Sequence, residues 1–209
     1  MVDLARGISN AVIAYRSGRQ PPLRMGRQIA ESTVGVIGYG AIGRRLVEIL
    51  LALGARVLVS DPGATVAAGE QVELSALLAQ SDFVVCLAIA TAETANLLNA
   101  ETIGAMKEGA FLINASRGEL ADDAALAAAL DRGHLAGAAL DVGRAPDQMP
   151  APALAGRPDV IATPHIGGLT REAAEHQALE TVRQVEAILR GKAPAGAVNA
   201  DRASRLGSL

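Results

Sequence analysis

The stretch TVGVIGYGAIGRRL, residues 33–46, decides the fold. Its apolar first half is typical of a buried strand, and Gly38, Gly40 and Gly43 then follow the spacing GxGxxG into an amphipathic run. In a strand–turn–helix unit these glycines permit a tight turn, the approach of backbone to a diphosphate, and close packing of helix on strand. The stretch therefore predicts a dinucleotide-binding turn, with the helix N-terminus facing the phosphates. A glycine-rich turn without a ligand is the alternative.

An acidic residue stands where such a turn needs one. Asp61 ends the next apolar run, RVLVSDP, and lies 18 residues beyond Gly43. A carboxylate there accepts hydrogen bonds from the adenosine ribose hydroxyls and repels a 2′-phosphate. The position of Asp61 therefore favours NAD over NADP as the cofactor.

Apolar runs alternate with helical patterns along the rest of the chain, which is typical of an α/β protein with a parallel sheet. The predicted fold is a Rossmann-type doubly wound parallel sheet of six strands in the order 3-2-1-4-5-6. The predicted strands are TVGVIG, ARVLVS, FVVCLAIA, AFLINAS, LAGAALDV and DVIATP. Residues 1–30 are interpreted as an N-terminal helix (2–17) and linker, 31–191 as the dinucleotide-binding domain with a last helix near 170–190, and 192–209 as a C-terminal tail.

Composition narrows the function classes. The formal net charge is -3 and no basic stripe stands out, which argues against a nucleic-acid partner. No apolar run approaches the ~18 residues of a membrane span. The single cysteine, Cys86, excludes an internal disulfide and a cysteine-based zinc site, and no metal is expected. The first residues, MVDLARGISN, lack the apolar segment of a signal peptide, so we expect a cytoplasmic protein.

Polar side chains follow several predicted strands. Ser116 and Arg117 follow the fourth strand, Asp141 ends the fifth, and His165 follows the sixth within IATPHIGGLT, residues 161–170. Ligands bind at the carboxyl ends of the strands in an open parallel sheet, so we expect these residues to line one crevice. Taken singly, the arginine is compatible with a surface ion pair, the aspartate with a turn cap and the histidine with a structural role.

Four segments together resemble a known family, the D-isomer-specific 2-hydroxyacid dehydrogenases, which include phosphoglycerate dehydrogenases and glyoxylate/hydroxypyruvate reductases. The segments are VGVIGYGAIGRRL, LINASRGEL, GAALDV and IATPHIGG, in the family's order. The resemblance implies that Arg117 binds the substrate carboxylate and polarises its carbonyl, and that His165 is the general acid/base.

The resemblance also implies a set of cofactor contacts. Asp141 would meet the nicotinamide carboxamide, with the backbone of Ala115 and Gly167 nearby, while Ala41 and Ile42 would line the diphosphate turn. The full predicted cofactor-binding set is Gly38, Gly40, Ala41, Ile42, Gly43, Asp61, Ala115, Ser116, Arg117, Asp141, His165 and Gly167.

The sequence departs from the family's pattern in three places. The glutamate that usually orients the catalytic histidine is replaced by Pro146; Asp147 would take its role if the loop shifts, and otherwise His165 loses its ion-pair partner. The usual His-x-Pro turn is Ala88-Ile89-Ala90, where backbone alone would contact the cofactor. Family members also carry a further domain ahead of the segment equivalent to Met1–Gly18, so the chain is expected to be a fragment, a truncated reading frame or a natural short form.

Two functions from different classes fit these observations. The first is an NAD-dependent oxidoreductase, or its cofactor domain, that transfers a hydride between nicotinamide and a small 2-hydroxy or 2-oxo acid and forms a homodimer. The second is an NAD-sensing scaffold like the carboxy-terminal-binding corepressors, or a catalytically inactive truncated remnant. Retention of Arg117 and His165 favours the first, whereas the missing glutamate and domain favour the second.

Overall fold

A computed structural model describes residues 1–197 as two compact units, Met1–His165 and the unit that begins at Ile166. The predicted tail, 192–209, lies largely outside the described residues. The helices of the first unit are α1 (Val2–Arg6), α2 (Ile8–Arg16), α3 (Ala41–Ala52), α4 (Leu74–Gln80), α5 (Ala100–Gly104), α6 (Asp123–Asp131) and α7 (Pro152–Ala155). Its strands are β1 (Thr33–Ile37), β2 (Arg56–Ser60), β3 (Glu70–Gln71), β4 (Phe83–Cys86), β5 (Ala110–Asn114), β6 (Leu135–Leu140) and β7 (Val160–Ala162).

The strands form one parallel sheet in the order β3-β2-β1-β4-β5-β6-β7, which confirms the doubly wound α/β fold. The predicted count of six is wrong by one, because the two-residue strand β3 is exposed and polar and has no apolar periodicity to reveal it. Its presence also corrects one placement. The run at 83–86, predicted as the third strand, is the fourth and pairs with both β1 and β5 instead of lying outside β2.

Alternate residues of the central strands pack into two separate clusters. Val57 and Val59 belong to one cluster and Leu58 to the other, and Phe83 and Val84 divide in the same way. Both faces of the sheet are therefore covered, which explains why its strands are continuous apolar runs.

The predicted helix over 2–17 is two helices. Gly7 adopts φ +64°, caps the end of α1 and precedes the first residue of α2. A left-handed residue cannot continue a right-handed helix, and glycine takes this conformation at little cost. The following segment, 19–28, has no helix or strand, as its Pro-Pro pair predicts.

Asp82 attaches this segment to the amino end of the sheet. Its carboxylate accepts hydrogen bonds from Arg27 Nη1 at 2.9 Å, Lys107 Nζ at 2.7 Å and the Thr33 N–H at 2.9 Å. Burial alone raises the pKa of Asp82, but the hydrogen bonds and the charges of Lys107 and Arg27 outweigh it, so the pKa lies below its ordinary value.

Replacing Asp82 by asparagine is expected to lower the free energy of unfolding by about 1–2 kcal/mol at pH 7, because the half-buried carboxylate makes charge-assisted hydrogen bonds. A carboxylate with a depressed folded pKa stabilises the protein above its unfolded pKa, near 3.9, and stops doing so as the pH falls through the folded value. The difference between wild type and Asp82→Asn should therefore shrink below about pH 4. Urea unfolding at several pH values measures this difference in unfolding free energy. The control is Glu48→Gln, because Glu48 forms an exposed ion pair with Arg45. A difference independent of pH would contradict the assignment.

The second unit contains helix α8 (Arg171–Leu189), close to the predicted last helix. Thr170 caps it by accepting a hydrogen bond from the Ala173 N–H at 3.0 Å. Across residues 1–197, no helix combines the length and apolarity that a membrane crossing requires.

Candidate cofactor-binding and active site

The glycine turn after β1 has two positions where no side chain fits. Gly38 has φ +98°, and a Cβ there would lie 2.7 Å from the Ala88 nitrogen, in the segment after β4. A Cβ on Gly43 would lie 2.1 Å from the Gly38 carbonyl oxygen, so this glycine lets α3 pack against the turn. Both requirements come from the fold itself.

Gly40 is different, because a Cβ built on it meets nothing within 4 Å. Its φ of -70° and ψ of -165° are open to any residue, so the protein alone does not require glycine there. Gly40 is the N-cap of α3, and no side chain caps that end, where Ala41 and Ile42 are exposed. The free space at Gly40 and the uncapped N-terminus of α3 suit a diphosphate, because backbone N–H groups there can donate to its oxygens. The residues present therefore fit a dinucleotide.

A cavity of about 1140 Å³ opens beside this turn. It is bounded by the glycine turn, the carboxyl end of β2 and the segment after β4. Three predicted cofactor residues line it, namely Gly38, Gly40 and Asp61.

The Asp61 carboxylate is held in place by backbone. Oδ2 accepts a hydrogen bond from the Tyr39 N–H at 2.7 Å, and Oδ1 accepts one from the Gly63 N–H at 2.9 Å. Each oxygen keeps a further lone pair, so the group can still accept hydrogen bonds from ribose hydroxyls. Asp61 thus joins the end of β2 to the glycine turn as well as facing the cavity.

Buried Asn114 organises the turn that carries Arg117. Its Nδ2 donates to the Arg117 carbonyl at 2.9 Å, and its Oδ1 accepts from the Ser116 N–H at 3.2 Å. The Ser116 hydroxyl donates to the Ala88 carbonyl at 2.6 Å, which ties this turn to the segment after β4. Ala115 and the Arg117 side chain are exposed at the carboxyl end of β5.

Asp141 and His165 lie further along the same edge. The Asp141 N–H donates to the Asn114 carbonyl at 3.1 Å, and its carboxylate accepts from the Thr163 hydroxyl at 2.5 Å. The His165 N–H donates to the Thr163 carbonyl at 3.0 Å. Continuous contacts therefore connect the glycine turn to His165 along the carboxyl ends of the strands, although Arg117, Asp141 and His165 are outside the lining of the cavity.

His165 has a left-handed backbone, with φ +52°. A residue with a Cβ occupies that region only at a cost, and such strain collects at functional sites. The side chain is half-buried.

Asp147 points into its own loop, where Oδ1 accepts from the Met149 N–H at 3.0 Å. Within residues 1–197 no ion pair joins it to His165. Its role in place of the family's glutamate stays a prediction. Gly167 belongs to the second unit, and its cofactor contact likewise stays a prediction. In the described part of the chain, no group of three or more His, Cys, Asp or Glu side chains could hold a metal ion.

Sequence reasoning missed Tyr39 and Arg44 at the cavity and Asn114 and Thr163 at the strand ends. Tyr39 stands inside the GxGxxG spacing, where only the glycines carry the motif. Asn114 and Thr163 precede Ser116 and His165 by two residues and act through contacts between strands. The one available signal was a polar residue closing an otherwise apolar run.

Comparison with known proteins agrees with this geometry. Residues 1–167 match the family described as D-isomer specific 2-hydroxyacid dehydrogenase, NAD binding domain. The D-3-phosphoglycerate dehydrogenase of Synechocystis sp. is 35% identical over 205 residues, covering 95% of this chain and 37% of that protein. The glycerate dehydrogenase of Methylorubrum extorquens is 39% identical over 166 residues, covering 78% of this chain and 52% of that protein.

A solved structure shows the same relation. The D-lactate dehydrogenase of Aquifex aeolicus, complexed with NAD and lactic acid, superposes with a TM-score of 0.81 at 29% identity, covering 91% of this chain and 63% of that one. The chain thus spans about a third to a half of the length of the curated relatives it matches. It belongs to the D-isomer-specific 2-hydroxyacid dehydrogenase family, whose NAD-binding domain it contains.

Proposed function

We propose that this chain binds NAD and serves hydride transfer between nicotinamide and a small 2-hydroxy or 2-oxo acid. The observation that carries the proposal is the open cradle at Gly40 beside Asp61, with Arg117 and His165 following β5 and β7 on the same sheet edge. The related D-3-phosphoglycerate, glycerate and D-lactate dehydrogenases act on members of this substrate class.

Each residue has a definite task under this proposal. Bound NAD supplies the hydride acceptor or donor. The Arg117 guanidinium, whose planar fork matches a carboxylate, holds the substrate acid group. The His165 imidazole exchanges a proton with the substrate oxygen near neutral pH. Asp141, tied to Thr163, would orient the nicotinamide amide.

The direct test is titration of the chain with NADH and NADPH, followed by cofactor fluorescence because the chain has no tryptophan. NADH should bind at least about tenfold more tightly, since Asp61 accepts hydrogen bonds from ribose and repels a 2′-phosphate. Failure of NADH to bind at all would refute the proposal.

Asp61→Asn should remove most of the NADH preference, because asparagine keeps an acceptor but loses the charge. Asp61→Ala should also weaken NADH binding, because Tyr39 loses its anchor. Thermal unfolding identifies any variant that is misfolded. If the ratio of the affinities for NADH and NADPH is unchanged in Asp61→Asn, another residue determines the cofactor preference.

The NAD-sensing scaffold or inactive remnant is the second candidate, favoured by the loop geometry of Asp147. Both candidates require NADH binding, and they differ in turnover. Suppose that NADH binds, but that a longer polypeptide containing this domain does not oxidise NADH with any 2-oxo acid tested. The scaffold is then the better assignment.

We further propose a cytoplasmic homodimer. Helices α1 and α2 expose Val2, Ile8, Val12, Ile13 and Tyr15, and exposed apolar side chains on one short segment favour an interface. Sedimentation velocity should show a dimer that Ile13→Asp converts to monomer. If the wild type stays monomeric at high concentration, the dimer is contradicted.

The cytoplasmic location is a separate proposal, which cell fractionation tests.

A further inference from the structure

We infer that Arg44 binds the diphosphate of the dinucleotide through its two terminal amino groups. This inference rests on the proposed function and assigns a residue outside the glycine motif to it. Arg44 follows Gly43 on α3 and lines the cavity.

Two contacts with Tyr39 orient the guanidinium of Arg44. Its Nε donates to the Tyr39 carbonyl at 3.1 Å, and its Cζ lies 5.4 Å from the centre of the Tyr39 ring. A hydrogen bond at one end and a cation–π contact beneath the plane limit the orientations of an otherwise flexible side chain.

Tyr39 is itself held on three sides. The residue is 4% exposed, its hydroxyl accepts from the Ala68 N–H at 3.2 Å, and its own N–H donates to Asp61. The chain has only two tyrosines and two phenylalanines. One of these four aromatic residues, Tyr39, lies in the glycine turn, where its ring contacts the Arg44 guanidinium.

The contacts of Arg44 leave its terminal nitrogens available. Among residues 1–197, neither Nη1 nor Nη2 of Arg44 has a protein hydrogen-bond partner, whereas those of Arg27, Arg56 and Arg157 are used in ion pairs. A guanidinium held at Nε with both amino groups free presents a fork that suits phosphate oxygens.

Charge balance supports the same assignment. Arg44 is the one Lys or Arg among the described residues that line the cavity, which also contains the carboxylates of Asp61 and Glu73. A diphosphate brings further negative charge into this cavity. The partial positive charge at the N-terminus of α3 offsets part of it, and Arg44 supplies the full opposite charge.

The test combines variants of the arginine side chain with ligands that lack parts of the dinucleotide. We would titrate wild type, Arg44→Gln and Arg45→Gln with NADH, ADP, 2′-AMP and adenosine by calorimetry. Arg44→Gln should lower the affinity for NADH and for ADP about tenfold or more. The affinity for adenosine should not change, because adenosine lacks the diphosphate. Arg45 is the matched control, since it is adjacent but pairs with Glu48 on the exposed surface. Arg44→Lys should recover part of the lost affinity.

Each other result has a definite meaning. Equal losses for ADP and adenosine would show that Arg44 only shapes the turn, and a loss confined to 2′-AMP would place the cation at the ribose phosphate; either overturns the inference. Normal NADH binding by Arg44→Gln overturns it while leaving the proposed function intact. Absence of NADH binding by the wild type refutes both. Thermal unfolding of Arg44→Gln confirms that the variant is folded.

Discussion

Replacing Gly43 by alanine is expected to lower the free energy of unfolding by about 3 kcal/mol or more, with a fall in Tm of about 6–12 °C. The added Cβ would lie 2.1 Å from the Gly38 carbonyl oxygen, which is backbone and cannot rotate away. Relief requires α3 to move off β1, and Val47 and Leu50 of that helix are fully buried. Differential scanning calorimetry measures the effect.

Gly40→Ala is the matched comparison in the same turn. Its Cβ meets nothing within 4 Å and its backbone angles suit alanine, so Tm should change little. NADH affinity should nevertheless fall about tenfold or more, because the methyl group occupies the space into which the diphosphate fits. The pair thus separates a glycine required for folding from one required for binding. Unchanged NADH binding by Gly40→Ala, or an unchanged Tm for Gly43→Ala, would contradict this division.

The second large effect is expected on turnover. We expect the polypeptide of residues 1–209 to oxidise NADH with glyoxylate or hydroxypyruvate at least about a hundredfold more slowly than a full-length relative. Arg117 is exposed, whereas hydride transfer needs a closely positioned substrate and little water. A misplacement of ~1 Å costs on the order of a hundredfold.

Loss of NADH absorbance measures this rate, with His165→Ala and Arg117→Ala as controls for the reacting residues. NADH affinity of His165→Ala, measured in parallel, checks that the cofactor site is intact. Robust turnover that either substitution abolishes would contradict the expectation, and would mean that a second copy or the segment 1–30 completes the site.

Local pattern was sufficient for the strand–turn–helix unit and for the position of Asp61 directly after β2. A buried parallel strand is a continuous apolar run and a tight turn needs glycine, so both features can be read over a few neighbouring residues. The same reasoning placed Arg117, Asp141 and His165 at one edge, because the carboxyl ends of parallel strands share it.

Features that depend on distant partners required the tertiary structure. Glu70–Gln71 pairs with β2 through backbone hydrogen bonds that impose no side-chain pattern, so β3 is invisible in the sequence. Nothing in the sequence distinguished Arg44 from the other arginines; the structure places its guanidinium over the Tyr39 ring and the residue in the lining of the cavity.

The glycines of the motif show the same division most clearly. The spacing of Gly38, Gly40 and Gly43 by itself determined the dinucleotide-binding turn and predicted a separate task for each glycine. Only the structure shows which of these positions would tolerate a Cβ, because that depends on which chain segment passes within a few ångströms. Spacing along the chain determines local conformation, whereas close packing between distant segments decides what each position tolerates.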